Sequence, residues 1–139
     1  MSADAANIKR LLVATLAAIG ALWLLGFIVS LSGAGDAALE LPTLGRVDPV
    51  NLLVTTLAMG LGGYLDGKRF IGVALAIMLV LWLAIIVTLL QIARPVQADA
   101  LTQILAYNRT QIVLSMLAAG AGAAIGAWVR LRRMDPQPG

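Results

Sequence analysis

The chain has 139 residues, of which 60% are hydrophobic and 12% charged. A soluble domain carries about 25% charged residues, so polar side chains here are too few to cover a globule. The composition excludes an ordinary soluble domain, and it excludes disorder, which needs low hydrophobicity.

The chain reads as an all-α integral membrane protein, and two missing residue types narrow its chemistry. There is no histidine, which removes bis-histidine haem, histidine-ligated zinc and the commonest general base. There is no cysteine, which removes thiolate nucleophiles, iron–sulfur ligands, disulfides and cysteine lipid anchors. The formal net charge is +3. Most of the basic residues flank apolar runs, so they report membrane orientation and imply no nucleic-acid partner.

Four long uncharged runs follow in chain order. Leu11 to Leu31 comes after Lys9-Arg10. Its length exceeds the apolar stretch of about 7–15 residues in a signal peptide, so it reads as a membrane span despite the small residues Ser32-Gly33-Ala34 behind it. A loop rich in Gly, Ala and Leu leads to Asp48-Pro49, an N-cap with proline at the first helical position. The second run, Pro49 to Leu65, sits at the lower limit of about 17 residues for crossing. Asp66-Gly67-Lys68-Arg69 is a tight turn in which Gly67 ends a helix and Asp66 finds its partner in Lys68 or Arg69.

The third run spans Phe70 to Ala93. Leu101, Ile104 and Leu105 then follow helical spacing, which predicts a short amphipathic helix on the outer membrane face. Asn108 is expected to cap the fourth run, Thr110 to Val129, as Asp48 caps the second. A cytoplasmic tail is expected over 131–139. Lys9, Arg10, Lys68, Arg69, Arg130, Arg132 and Arg133 fall on one side of this four-span arrangement, and Arg46, Arg94 and Arg109 on the other. By the positive-inside rule both termini are cytoplasmic, in an inner (plasma) membrane.

The chain also matches itself. A shift of 59 lays Lys9-Arg10 on Lys68-Arg69 and Leu22-Trp23-Leu24 on Leu81-Trp82-Leu83. A shift of 60 lays Gly60 on Gly120, Gly62 on Gly122, Asn51 on Gln111 and Thr55 on Ser115. This predicts a tandem duplication of a two-helix hairpin, repeat one over about 9–67 and repeat two over about 68–130, within a single four-helix domain. Trp23 and Trp82 should then be equivalent, each packed between helices or anchored inside the outer leaflet. Gly60, Gly62 and Gly63 with Gly120, Gly122 and Gly126 make small-residue packing faces, so the second and fourth helices are expected inside.

No ionisable residue lies within the four runs, although such residues usually mark transport or proton relay. The polar candidates at depth are Asn51 and Gln111, as a symmetric pair, and Thr55 and Ser115, as pore lining. Met59, Met78 and Met116 lack the clustering of a copper site and read as core filling. No cofactor or metal is expected. The stretch from Gly120 to Arg130 resembles the glycine-rich, arginine-terminated first helix of small four-span fluoride channels. Here it lies in the last helix, and Phe27 and Phe70 are too far apart to form a phenylalanine track. That match is rejected and no family is assigned.

The expected function is non-enzymatic: a scaffold, assembly, immunity or accessory subunit held in the bilayer by contacts with other membrane subunits or with itself. The alternative is a small homo-oligomeric channel or transporter with a pore lined by the second and fourth helices. A lipid-modifying enzyme is the third class, and only Asp66 would serve it.

Overall fold

The computed structural model describes residues 3–134, so part of the expected tail lies outside the described residues. The fold is helical. α1 runs over Ala3–Ser32, α2 over Pro49–Asp66, α3 over Phe70–Ala93 and α4 over Ala100–Met134. Three of these, α1, α3 and α4, are long and apolar enough to cross a membrane. α2 is 18 residues long, about 27 Å at helical rise. Asn51, two threonines, Tyr64 and its glycines dilute its apolar character.

Consecutive helices run antiparallel, which makes α2 and α4 parallel. α2 packs most extensively on α4, then on α1, while α3 packs on α4. The order across the bundle is therefore α1, α2, α4, α3. Small side chains make close packing possible. α1 buries Ala14 and Ala18, one turn apart. α3 buries Phe70, Ala74, Met78 and Trp82, each one turn from the next. These ladders meet Met59, Ala119 and Ala123 in one continuous core. The large apolar side chains of α1, among them Leu16, Leu24, Phe27 and Leu31, face outward.

The α1–α2 connection holds a short 3-10 turn, Ala34–Asp36, and a two-stranded antiparallel hairpin of β1, Leu39–Leu41, and β2, Gly45–Val47. Gly45 has a φ of 79° and lies against the Tyr107 carbonyl, where any side chain would collide. The hairpin ends at Asp48, whose carboxylate accepts a 3.0 Å bond from the Asn51 backbone N–H. Pro49 follows at the first helical position, as the sequence predicts. Gly67 closes α2 with φ 89°, its N–H donating to the Gly63 carbonyl at 2.7 Å.

Two sequence expectations are corrected here. No separate amphipathic helix precedes the last span, because α4 is continuous for 35 residues. Asn108 is not a cap. It sits inside α4 and donates from Nδ2 to the Ile104 carbonyl one turn back at 2.9 Å. That helix is about 52 Å long by helical rise, well beyond a hydrocarbon core of about 30 Å. Its first turns extend past the start of α2, alongside α3, and the turn that follows carries the hairpin. Arg109 donates to the Thr43 carbonyl, Thr110 to the Leu44 carbonyl and Tyr107 to the Glu40 carboxylate.

Candidate functional site

Three places concentrate the chemistry: the α2–α4 seam, the end of the bundle near Asp66, and the end near the hairpin.

The seam is made by four of the six glycines expected to pack. A Cβ on Gly63 would collide with the Ala123 carbonyl, one on Gly122 with that of Thr56, and one on Gly126 with that of Gly60. A Cβ on Gly60 would stand 3.4 Å from the Gly122 carbonyl oxygen. The two backbones therefore touch, and Gly122 and Gly126 are spaced as in a membrane small-xxx-small motif. The other two glycines lie elsewhere. Gly62 receives the ring of Phe70, and Gly120 faces Leu75 of α3.

At one end, Asp66 is 5% exposed. Its partner is neither Lys68 nor Arg69. Arg10 reaches from α1, its Nε 3.1 Å from Asp66 Oδ1. Sequence proximity made the two nearer cations look natural, but the chain reverses at Gly67 and α1 brings Arg10 alongside. Asp66 Oδ2 is buried without a partner among the described residues. Arg130 donates to the Leu65 carbonyl at 2.6 Å. Arg133 donates to the Tyr64 hydroxyl at 3.3 Å, and the Arg132 guanidinium stacks 3.8 Å above the Trp128 ring. The α1 N-terminus, the α2–α3 turn and the α4 C-terminus thus gather their basic residues at one end, with Arg46 and Arg109 at the other.

At the hairpin end, Asn51 and Gln111 line one cleft but do not pair. Asn51 is exposed. Gln111 accepts through Oε1 from the Asp48 backbone N–H at 2.9 Å. The cleft encloses about 610 Å³ between the start of α2, β2, α3 and α4.

Thr55 and Ser115 are both buried, on helices whose backbones meet at the glycines. Ser115 instead receives the Trp82 indole N–H at 2.6 Å and donates to the Ile112 carbonyl at 2.9 Å. The two tryptophans are not equivalent. Trp82 is 8% exposed and Trp23 is 79% exposed. Their sequence match uses the shift of 59, whereas burial follows 60: Ala14 and Ala18 correspond to Ala74 and Met78. One residue of slip turns a helical side chain by about 100°, which carries Trp23 from the core face to the exterior.

Thr15, Thr56 and Thr88 donate to carbonyls one turn back, the usual way a membrane helix satisfies a hydroxyl. No group of three or more acidic residues able to hold a metal occurs among the described residues. No family model, curated protein or solved structure matches the chain.

Proposed function

We propose that the chain is a non-enzymatic subunit of an inner-membrane complex, acting as scaffold, assembly, immunity or accessory component. The observation that carries this reading is the closed seam. α2 and α4 meet backbone to backbone at Gly60, Gly63, Gly122 and Gly126, so their small-residue faces are taken up in packing on each other. Around that seam α1 and α3 turn large apolar side chains outward. A groove between them, bordered by Ile19, Trp23, Val73 and Val80, is apolar enough for a partner's membrane helix.

In this reading α2 is a fourth, short span, covered by α1 and α4 where its own apolar content is low. The gathered basic end then faces the cytoplasm with both termini. Duplication of a two-helix unit has further support in burial. Thr55, Met59, Gly62, Gly63 and Asp66 of α2 match buried Ser115, Ala119, Gly122, Ala123 and Gly126 of α4, each 60 residues on.

The test is purification from native membrane in mild detergent. Stoichiometric foreign subunits support the proposal. A lone homo-oligomer that conducts ions or releases solute from loaded liposomes overturns it in favour of a channel.

A further inference from the structure

We propose that the cleft at the hairpin end binds the head group of a zwitterionic phospholipid with a primary amine, one acyl chain lying against α3. The proposal rests on the membrane reading above and adds a ligand to it.

The first observation is Gln111. The side chain is 6% exposed. Its Oε1 accepts from the Asp48 backbone N–H at 2.9 Å. Only the oxygen of an amide accepts, so this bond fixes the orientation and sends Nε2 the other way. Nε2 is buried and has no partner among the described residues. Buried donors are nearly always satisfied, and leaving one unmade is costly. Gln111 borders the cleft of about 610 Å³, within the usual range of ligand pockets, about 300–1,000 Å³.

The second observation is the lining. Arg46 and Asp48 contribute one charge of each sign. Trp82, Ile85 and Leu89 form an apolar wall. The indole is held in place by its bond to Ser115. An occupant must present acceptor oxygens to Gln111 and Arg46, an N–H cation to Asp48, and an apolar segment to α3. A phosphate ester carrying a primary ammonium and an acyl chain meets all three demands. A purely anionic head sets its charge against Asp48 with nothing in return. A quaternary ammonium offers Asp48 no N–H. Ile85 and Leu89 are exposed within the apolar α3, so the apolar wall is continuous with the helix surface that would face acyl chains. That continuity favours a lipid over a soluble zwitterion.

The test uses Trp82 as reporter in the full chain with Trp23→Phe and Trp128→Phe, both exposed positions. The protein is placed in phosphatidylcholine nanodiscs. Phosphatidylethanolamine, phosphatidylglycerol or phosphatidylcholine with brominated acyl chains is then titrated in. Half-maximal quenching is expected at about fivefold lower mole fraction for brominated phosphatidylethanolamine than for the other two, the worth of roughly one hydrogen bond. Gln111→Leu and Arg46→Gln should each raise the half-maximal mole fraction of all three lipids, because the phosphate is common to them, and Asp48→Asn, which keeps a helix cap and removes the charge, should erase the preference. Arg46 is exposed on the hairpin, so its variant remains informative if Gln111→Leu fails to fold. Equal quenching by all three head groups overturns the proposal, as does a preference that survives Asp48→Asn. Protection of Trp82 by free leucine, with no head-group preference, assigns the cleft to a soluble zwitterion and also overturns it. A chain that will not enter nanodiscs fails the membrane reading itself, and this proposal with it.

Discussion

Arg10 and Asp66 join the start of α1 to the end of α2 through one hydrogen-bonded ion pair of 3.1 Å. The arginine side chain is 45% exposed and the carboxylate 2%. The burial is one-sided, so the two partners are not interchangeable. Removing Arg10 leaves a buried carboxylate with neither oxygen partnered by a side chain, whereas Asp66→Asn removes the charge and keeps the shape. Arg10→Gln is expected to cost about 1–3 kcal/mol, below a fully buried pair because water reaches the guanidinium. Asp66→Asn should cost less. Thermal unfolding in detergent of both single variants and the double variant checks this. Additive effects, within about 0.5 kcal/mol, would show that the pair is not coupled.

The glycine seam makes a prediction that separates packing from helix propensity. Alanine is the better helix former by about 1 kcal/mol. Gly72→Ala adds a Cβ to open space and should be neutral or stabilising. Gly63→Ala and Gly126→Ala each place a Cβ against carbonyls of the facing helix. These should cost about 1–3 kcal/mol as the helices are forced apart. Melting temperatures of the three variants decide it. Equal behaviour would show that α2 and α4 do not meet at this seam.

Features encoded by neighbouring residues were legible in the sequence. The uncharged run Phe70 to Ala93 has the bounds of α3, and Asp48-Pro49 starts α2. What escaped depends on distant partners. Asp66 lies beside Lys68 and Arg69 in sequence, but α1 supplies Arg10 from 56 positions away. Asn108 looks like a cap, yet tertiary contacts with the hairpin hold helix on both sides of it. The hairpin itself lies in a Gly- and Ala-rich loop, where the alternation Leu39-Glu40-Leu41 is too short to mark a strand. Its strands are three residues each, and much of their support comes from α4. Glycine content marked the right helices but not the right faces. Gly62 looks equivalent to Gly60 and Gly63 in sequence, but a different turn of the helix aims it at Phe70.

The tryptophans give a test of the one-residue slip. Ser115→Ala removes the hydroxyl that accepts from the Trp82 indole N–H. It should cost about 1–3 kcal/mol, the penalty of an unsatisfied buried donor. Trp23→Phe should change stability by less than about 0.5 kcal/mol, as exposed substitutions do. In a single-tryptophan background, Ser115→Ala should shift the Trp82 emission. Similar costs for Ser115→Ala and Trp23→Phe would contradict the different burial of the two rings.

The number of crossings can be read from a chain that carries no natural cysteine. Single cysteines at Ala6, Asp36, Lys68 and Gln97 would mark the two ends of α1, the α2–α3 turn and the α3–α4 connection. With α2 spanning, membrane-impermeant maleimide added outside intact cells should label positions 36 and 97. Positions 6 and 68 should react only after the membrane is opened. The prediction turns on position 68, because α2, unlike α1, α3 and α4, falls short of the length and apolarity for crossing, and the tight Gly67 turn fixes α3 directly behind it. If α2 does not cross, position 68 labels together with 36. α3 then crosses in the opposite sense, position 97 joins position 6, and the basic residues no longer share a side.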